Sequence, residues 1–94
     1  MAVLVHSTYT GVRQEDYDTM IGQVEPQFLS AQGFIAHIAV KQGEGFEVTE
    51  IWELDEALQT WIRDVITPMM QNAGGSAPQV RSEPIHHYFI NGLD

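Results

Sequence analysis

Cysteine is missing from this 94-residue chain. Its absence excludes a disulfide framework, a thiol nucleophile and a thiolate metal site, and it permits a reducing compartment. Positive charge is scarce as well: Arg13, Lys41, Arg63 and Arg81 stand apart from one another against 13 acidic residues, for a formal charge of −9. Nucleic acid and anionic membrane both require a clustered basic surface, so neither is expected as a partner. No apolar run approaches the ~20 residues that cross a bilayer, and no basic stretch precedes an apolar one at the start of the chain. The expectation is one domain over residues 1–94, soluble and cytoplasmic. A chain this short buries only about 60–65% of its unfolded surface, so any further apolar face tends to seek a partner.

What is present is organised around residues 33–74. Two runs rich in β-branched and aromatic residues, Gly33 to Val40 and Phe46 to Leu54, flank Gln42-Gly43-Glu44-Gly45, whose glycines supply the positive φ of a tight hairpin turn. Asp55 is expected to cap a helix in which Leu58, Trp61, Ile62, Val65, Ile66, Met69 and Met70 recur at intervals of three and four. Upstream, Ala2 to Thr8 reads as a strand, with Val3, Val5, Ser7 and Tyr9 on one face and Leu4, His6 and Thr8 on the other. From Arg13 to about Gln32 the period changes to that of a helix, with Tyr17, Met20, Ile21, Val24, Phe28 and Ala31 on one stripe and Gly33 as a left-handed C′ residue. Pro26 predicts a kink or break in the turn before it, and Pro68 a displaced or separate last turn over Met69 to Ala73. Gly74 to Pro78 reads as a loop. The final strand is expected over about Gln79 to Ile90, with a bulge or an edge position at Pro84.

The order strand, helix, strand, strand, helix, strand defines a ferredoxin-like α+β fold, βαββαβ, with two helices on one face of a four-stranded antiparallel sheet. The pairs Val3 and Leu4, Phe34 and Ile35, Ile51 and Trp52, and Tyr88 and Phe89 place apolar groups on both faces. A sheet with one wet face alternates, so the second face is expected to be covered by another copy of the chain in a homodimer.

Gly33-Phe34-Ile35-Ala36-His37, the Glu50-Ile51-Trp52-Glu53 strand end leading into Asp55-Glu56-Ala57, the Trp61 helix ending at Pro68, and Pro84-Ile85-His86-His87-Tyr88-Phe89 together resemble the antibiotic biosynthesis monooxygenase family. The resemblance runs from Val3 to Phe89. It implies a dimeric α+β barrel with a pocket in each subunit between sheet and helices. It also implies a monooxygenase acting without a bound cofactor on a small apolar or aromatic, quinol-like molecule. The alternatives are a non-catalytic small-molecule-binding dimer of the same fold and a structural assembly module. Haem-degrading relatives carry a histidine late in the second helix and an asparagine on the first strand. Here Met70 and Ser7 fall at or near those positions, so haem is not expected.

Cofactor-free oxygenation needs a base that titrates near neutrality, a few hydrogen-bond donors and an aromatic wall. Histidine fits the base role. His37, opposite or diagonal to Glu50 across the hairpin, is the first candidate with Glu50 as its orienter, the alternative being a structural histidine satisfied by that carboxylate. His86 and His87 are further candidate bases; adjacent in a strand, they would face opposite ways. Ser7, Tyr17, Trp52, Trp61, Met70 and Tyr88 are candidate substrate contacts. No ligand spacing for a metal site is present, and none is expected.

Overall fold

The computed structural model describes residues 1–73 and 77–92. Strand β1 spans Val3–Thr10, helix α1 Gln14–Ser30, strand β2 Phe34–Gln42, strand β3 Gly45–Trp52, helix α2 Asp55–Trp61, a π-helical turn Ile62–Ile66, helix α3 Thr67–Ala73, and strand β4 Gln79–Pro84. The four strands form one antiparallel sheet in the order β2-β3-β1-β4. Both helical segments pack on the same face, which is the expected ferredoxin-like α+β arrangement. No helix among the described residues is long and apolar enough to cross a membrane.

The alternation in β1 places Val3, Val5 and Ser7 under the helices, opposite Trp52, Glu50 and Val48 of β3. Val24 and Phe28 of α1 and Leu58 and Trp61 of α2 close the core over them. Phe28 is its hub, with ring centroids 4.3 Å from Trp61 and 4.8 Å from Phe34. Trp52 is fully enclosed, at 0% exposure.

A bulge between Phe34 and Ala36 breaks the alternation of β2. In an unbroken strand, Phe34 and His37 would lie on opposite faces. The extra residue shifts the parity, so that Phe34 pairs with Trp52, His37 pairs with Glu50, and both look toward the helices. The hairpin turn has its positive φ at Gly43 alone (+53°). Gly45 is required for space instead, because a Cβ there would meet the carbonyl of Tyr9.

The separate last turn expected at Pro68 is present: α3 is set off from α2 by the π-helical turn, in which Thr67 N–H donates to Ile62 O, five residues back. Three expectations need correction. Pro26 neither breaks nor ends α1; the carbonyl left without a partner is that of Gly22, which faces solvent and can bond water. The cap of α2 is Leu54, whose side chain makes no capping bond, and Asp55 is the first helical residue. The final strand stops at Pro84. Residues 85–90 lie outside the sheet, held at their start by Ile85 N–H on Ala2 O at 2.8 Å. The expected loop at Gly74 to Pro78 falls partly outside the described residues.

The C-cap of α1 is Ala31, in extended conformation, so Gly33 lies two residues beyond it. Its φ of +85° and its carbonyl bond to Glu53 N–H at 2.7 Å turn the chain into β2. A Cβ there would approach Ala57 Cβ to 2.8 Å. Gly33→Ala is therefore expected to destabilise the protein by more than ~1 kcal/mol, whereas Gly22→Ala, in an open position of α1, is expected to stabilise by ~0.5–1 kcal/mol. Urea unfolding of the two variants checks this, the midpoint moving in opposite directions from the parent's.

Candidate functional site

The interior carries one chain of polar groups, and it begins on the hairpin. Glu50 points from β3 toward the helices and is 8% exposed. A buried carboxylate must be compensated by donors. Trp52 Nε1–H donates to its Oε1 at 2.9 Å, and His37 Nδ1 lies 2.7 Å from its Oε2. Since an ionised carboxylate only accepts, the proton of a neutral His37 sits on Nδ1, leaving Nε2 to accept from the Tyr17 hydroxyl at 2.7 Å. Tyr17 stacks on Phe46 at 4.6 Å, which fixes its ring. The Tyr17 phenol is raised above its ordinary pKa, first by burial and then by the Glu50 charge.

A cavity of about 220 Å³ opens beside this chain, between β1, the Glu50 side of β3, and the α2 to α3 helix. Its apolar wall comes from positions four apart on that helix, Leu58, Ile62, Ile66 and Met70, with Val5 and Val80 from the sheet. Its polar groups are Ser7, Tyr9, Glu50, Trp61, Thr67 and Gln71. Burial, reinforced by the Glu50 charge, pushes the Tyr9 phenol up to about 12. It therefore keeps its O–H and can donate a hydrogen bond. Trp61 Nε1 is buried and has no hydrogen-bond partner among the described residues.

Of the residues singled out from the sequence, Ser7, Glu50, Trp61 and Met70 line this cavity. His37 and Tyr17 do not; they stand behind Glu50. Of the His37–Glu50 pair it is the carboxylate that meets the open space. Trp52 lies in the core and borders a larger, more open cleft of about 510 Å³ between the end of α1 and the outer side of α2. His86 and His87 are exposed outside the sheet, and Tyr88 is half-buried there; none of the three borders the cavity. His6 is on the opposite face of the sheet, its Nδ1 3.2 Å from Thr49 Oγ1. Tyr9 escaped the sequence reading as a site residue, although it shares the inward face with Ser7 and the alternation could have found it.

No family profile and no curated protein matches the sequence. Solved structures do match its shape. SnoaB, a cofactor-independent oxygenase from Streptomyces nogalater, superposes with a TM-score of 0.68 at 11% identity, over 93% of this chain and 94% of that one. A provisionally assigned antibiotic biosynthesis monooxygenase from Bordetella bronchiseptica gives 0.71 at 14% identity, over 89% and 96%. A variant of MhuD with two manganese protoporphyrin IX molecules bound per active site gives 0.66 at 14% identity, over 97% and 100%. The chain shares the α+β fold of these proteins.

The residues present do not fit haem: no histidine borders the cavity, and Met70 is its one sulfur ligand. No group of three or more potential metal-binding side chains occurs among the described residues.

The protonated state of Tyr9 has a measurable consequence. Its folded pKa lies above the ordinary value of 10, so its contribution to stability is whole below pH 10 and is lost as pH rises through 10 toward 12. Tyr9→Phe is expected to remove most of the tyrosine-linked fall over that interval, measured as melting temperature against pH.

Proposed function

We propose that this protein is a small monooxygenase of the cofactor-independent kind, acting on an aromatic, quinol-like molecule, with Glu50 as the group that accepts the substrate's hydroxyl proton. The observation that carries this reading is a buried carboxylate lining an otherwise largely apolar cavity, held from behind by His37 and Trp52. The likeness of fold to SnoaB, a cofactor-independent oxygenase, supports the reaction class.

The chemistry asks little else of the protein. Loss of the hydroxyl proton makes the ring electron-rich, and the ring carbon then supplies the electrons that reduce dioxygen. One oxygen atom enters as a ring carbonyl and the other leaves as water. The Tyr9 and Ser7 hydroxyls are the donors available to hold the oxygen anion. His37 and Tyr17 are positioning residues, fixing the direction of the Glu50 carboxylate.

Oxygen uptake with a hydroxylated naphthalene, no flavin or metal added, tests the assignment. Glu50→Gln is expected to lower turnover by ~10²–10⁴-fold, the usual contribution of a positioned proton acceptor. His37→Gln, which cannot act as base, is expected to lose less. Parental turnover in folded Glu50→Gln rejects Glu50 as the base.

The protein is further proposed to work as a homodimer. On the sheet face away from the helices Ile38 is 57% and Val40 50% exposed, and no described element covers them. Sedimentation at about twice the 10.6 kDa chain mass is expected at micromolar concentration, reverting to the monomer on combining Ile38→Glu with Val40→Glu. A monomeric parent protein would remove the proposal.

A further inference from the structure

The cavity also constrains what can enter it. We infer that it selects an uncharged phenol of one or two fused rings and turns away both carboxylated and three-ring analogues. This rests on the reading of the cavity as the substrate site.

Charge comes first. Among the described lining residues Glu50 is the one charged side chain, and no lysine, arginine or histidine accompanies it there. Its existing donors, Trp52 Nε1–H and His37 Nδ1–H, occupy one lone-pair direction on each oxygen, so each oxygen has capacity for one more donor. A neutral hydroxyl meets that need. A ligand carboxylate would instead bring a second negative charge beside the first, with nothing cationic to pair it, inside a space walled by Leu58, Ile62, Ile66 and Met70. The whole chain adds to the bias, with a formal charge of −9.

Size is the second limit. A dry cavity of ~150 Å³ accommodates benzene. The 220 Å³ measured here is about half as large again. That is room for one ring with its hydroxyls, or for two fused rings seated against the apolar wall. Three fused rings carry more than twice the carbon count of benzene, and the floor of the cavity, fully buried Val5 and Leu58, cannot recede to admit them.

Calorimetric titration of the parent protein under nitrogen, with phenol, naphthol, hydroxynaphthoic acid and anthrol, tests both limits without turnover. Naphthol is expected to bind best, and hydroxynaphthoic acid and anthrol at least ~10-fold more weakly. Glu50→Gln, with its melting curve recorded to confirm folding, is expected to recover binding of hydroxynaphthoic acid while leaving anthrol excluded. Binding of hydroxynaphthoic acid or anthrol as tight as that of naphthol overturns the inference and leaves the proposed function standing. Failure of all four to bind the folded parent protein overturns the inference and the proposed function together.

Discussion

The carboxylate of Glu50 is the constraint around which the interior is arranged. A charge at 8% exposure is tolerable only where donors converge on it, and each of its donors is supplied by a different structural device. Trp52 is two residues along the same strand and therefore on the same face. His37 comes from the neighbouring strand, directly opposite in register. Tyr17 comes from the first turns of α1 and completes the bonding of the imidazole. A shift of one residue in the β2–β3 pairing would send His37 to the other face and leave the carboxylate without its partner. The polar chain thus fixes the register of the hairpin as firmly as the apolar pattern does.

This explains which parts of the fold could be seen in the sequence. The strand order of events, the hairpin, the two-faced sheet and the opposition of His37 to Glu50 all follow from periodicity and turn chemistry, and the structure has them. The bulge at Ile35 has no sequence mark of its own: Phe34-Ile35-Ala36-His37 reads as an ordinary alternating strand. Yet the bulge is what turns Phe34 and His37 to the same side, where Phe28 packs against both, at 4.8 and 5.0 Å. Which member of the His37–Glu50 pair borders the cavity was hidden for a related reason. Pairing tells which residues are neighbours; it does not tell which of two neighbours meets the open space, since that depends on the helix laid over them.

The prolines show the same division between local and tertiary information. Each was legible as a perturbation, and the two are accommodated differently. Pro26 lies on the exposed side of α1, while Val24 and Phe28 on either side are buried and hold the helix to the sheet. Tertiary packing there outweighs the loss of one hydrogen bond. Pro68 is accommodated by the wide turn at residues 62–66. That turn also explains why every fourth residue, Leu58, Ile62, Ile66 and Met70, borders the cavity, since a wider winding keeps such a row facing one way for longer than an α-helix would. A backbone adjustment to one proline therefore shapes the wall of the site.

Proposing Glu50 rather than His37 as the base alters the electrostatics of the reaction. Were a neutral imidazole the base, proton transfer would create a cation and an anion together in a space of low dielectric. With a carboxylate as base the cavity holds one negative charge before transfer and one after, moved from Glu50 to the ligand oxygen. No charge is created, so the solvation penalty changes little along the step. What does change is which donors are useful. Trp52 and His37 hold the charge on Glu50 before transfer. In the proposed step Tyr9 and Ser7 are the donors on the ligand side afterwards. Burial first, and the Glu50 charge second, push the Tyr9 phenol up to about 12, so this donor keeps its proton beside the base it serves.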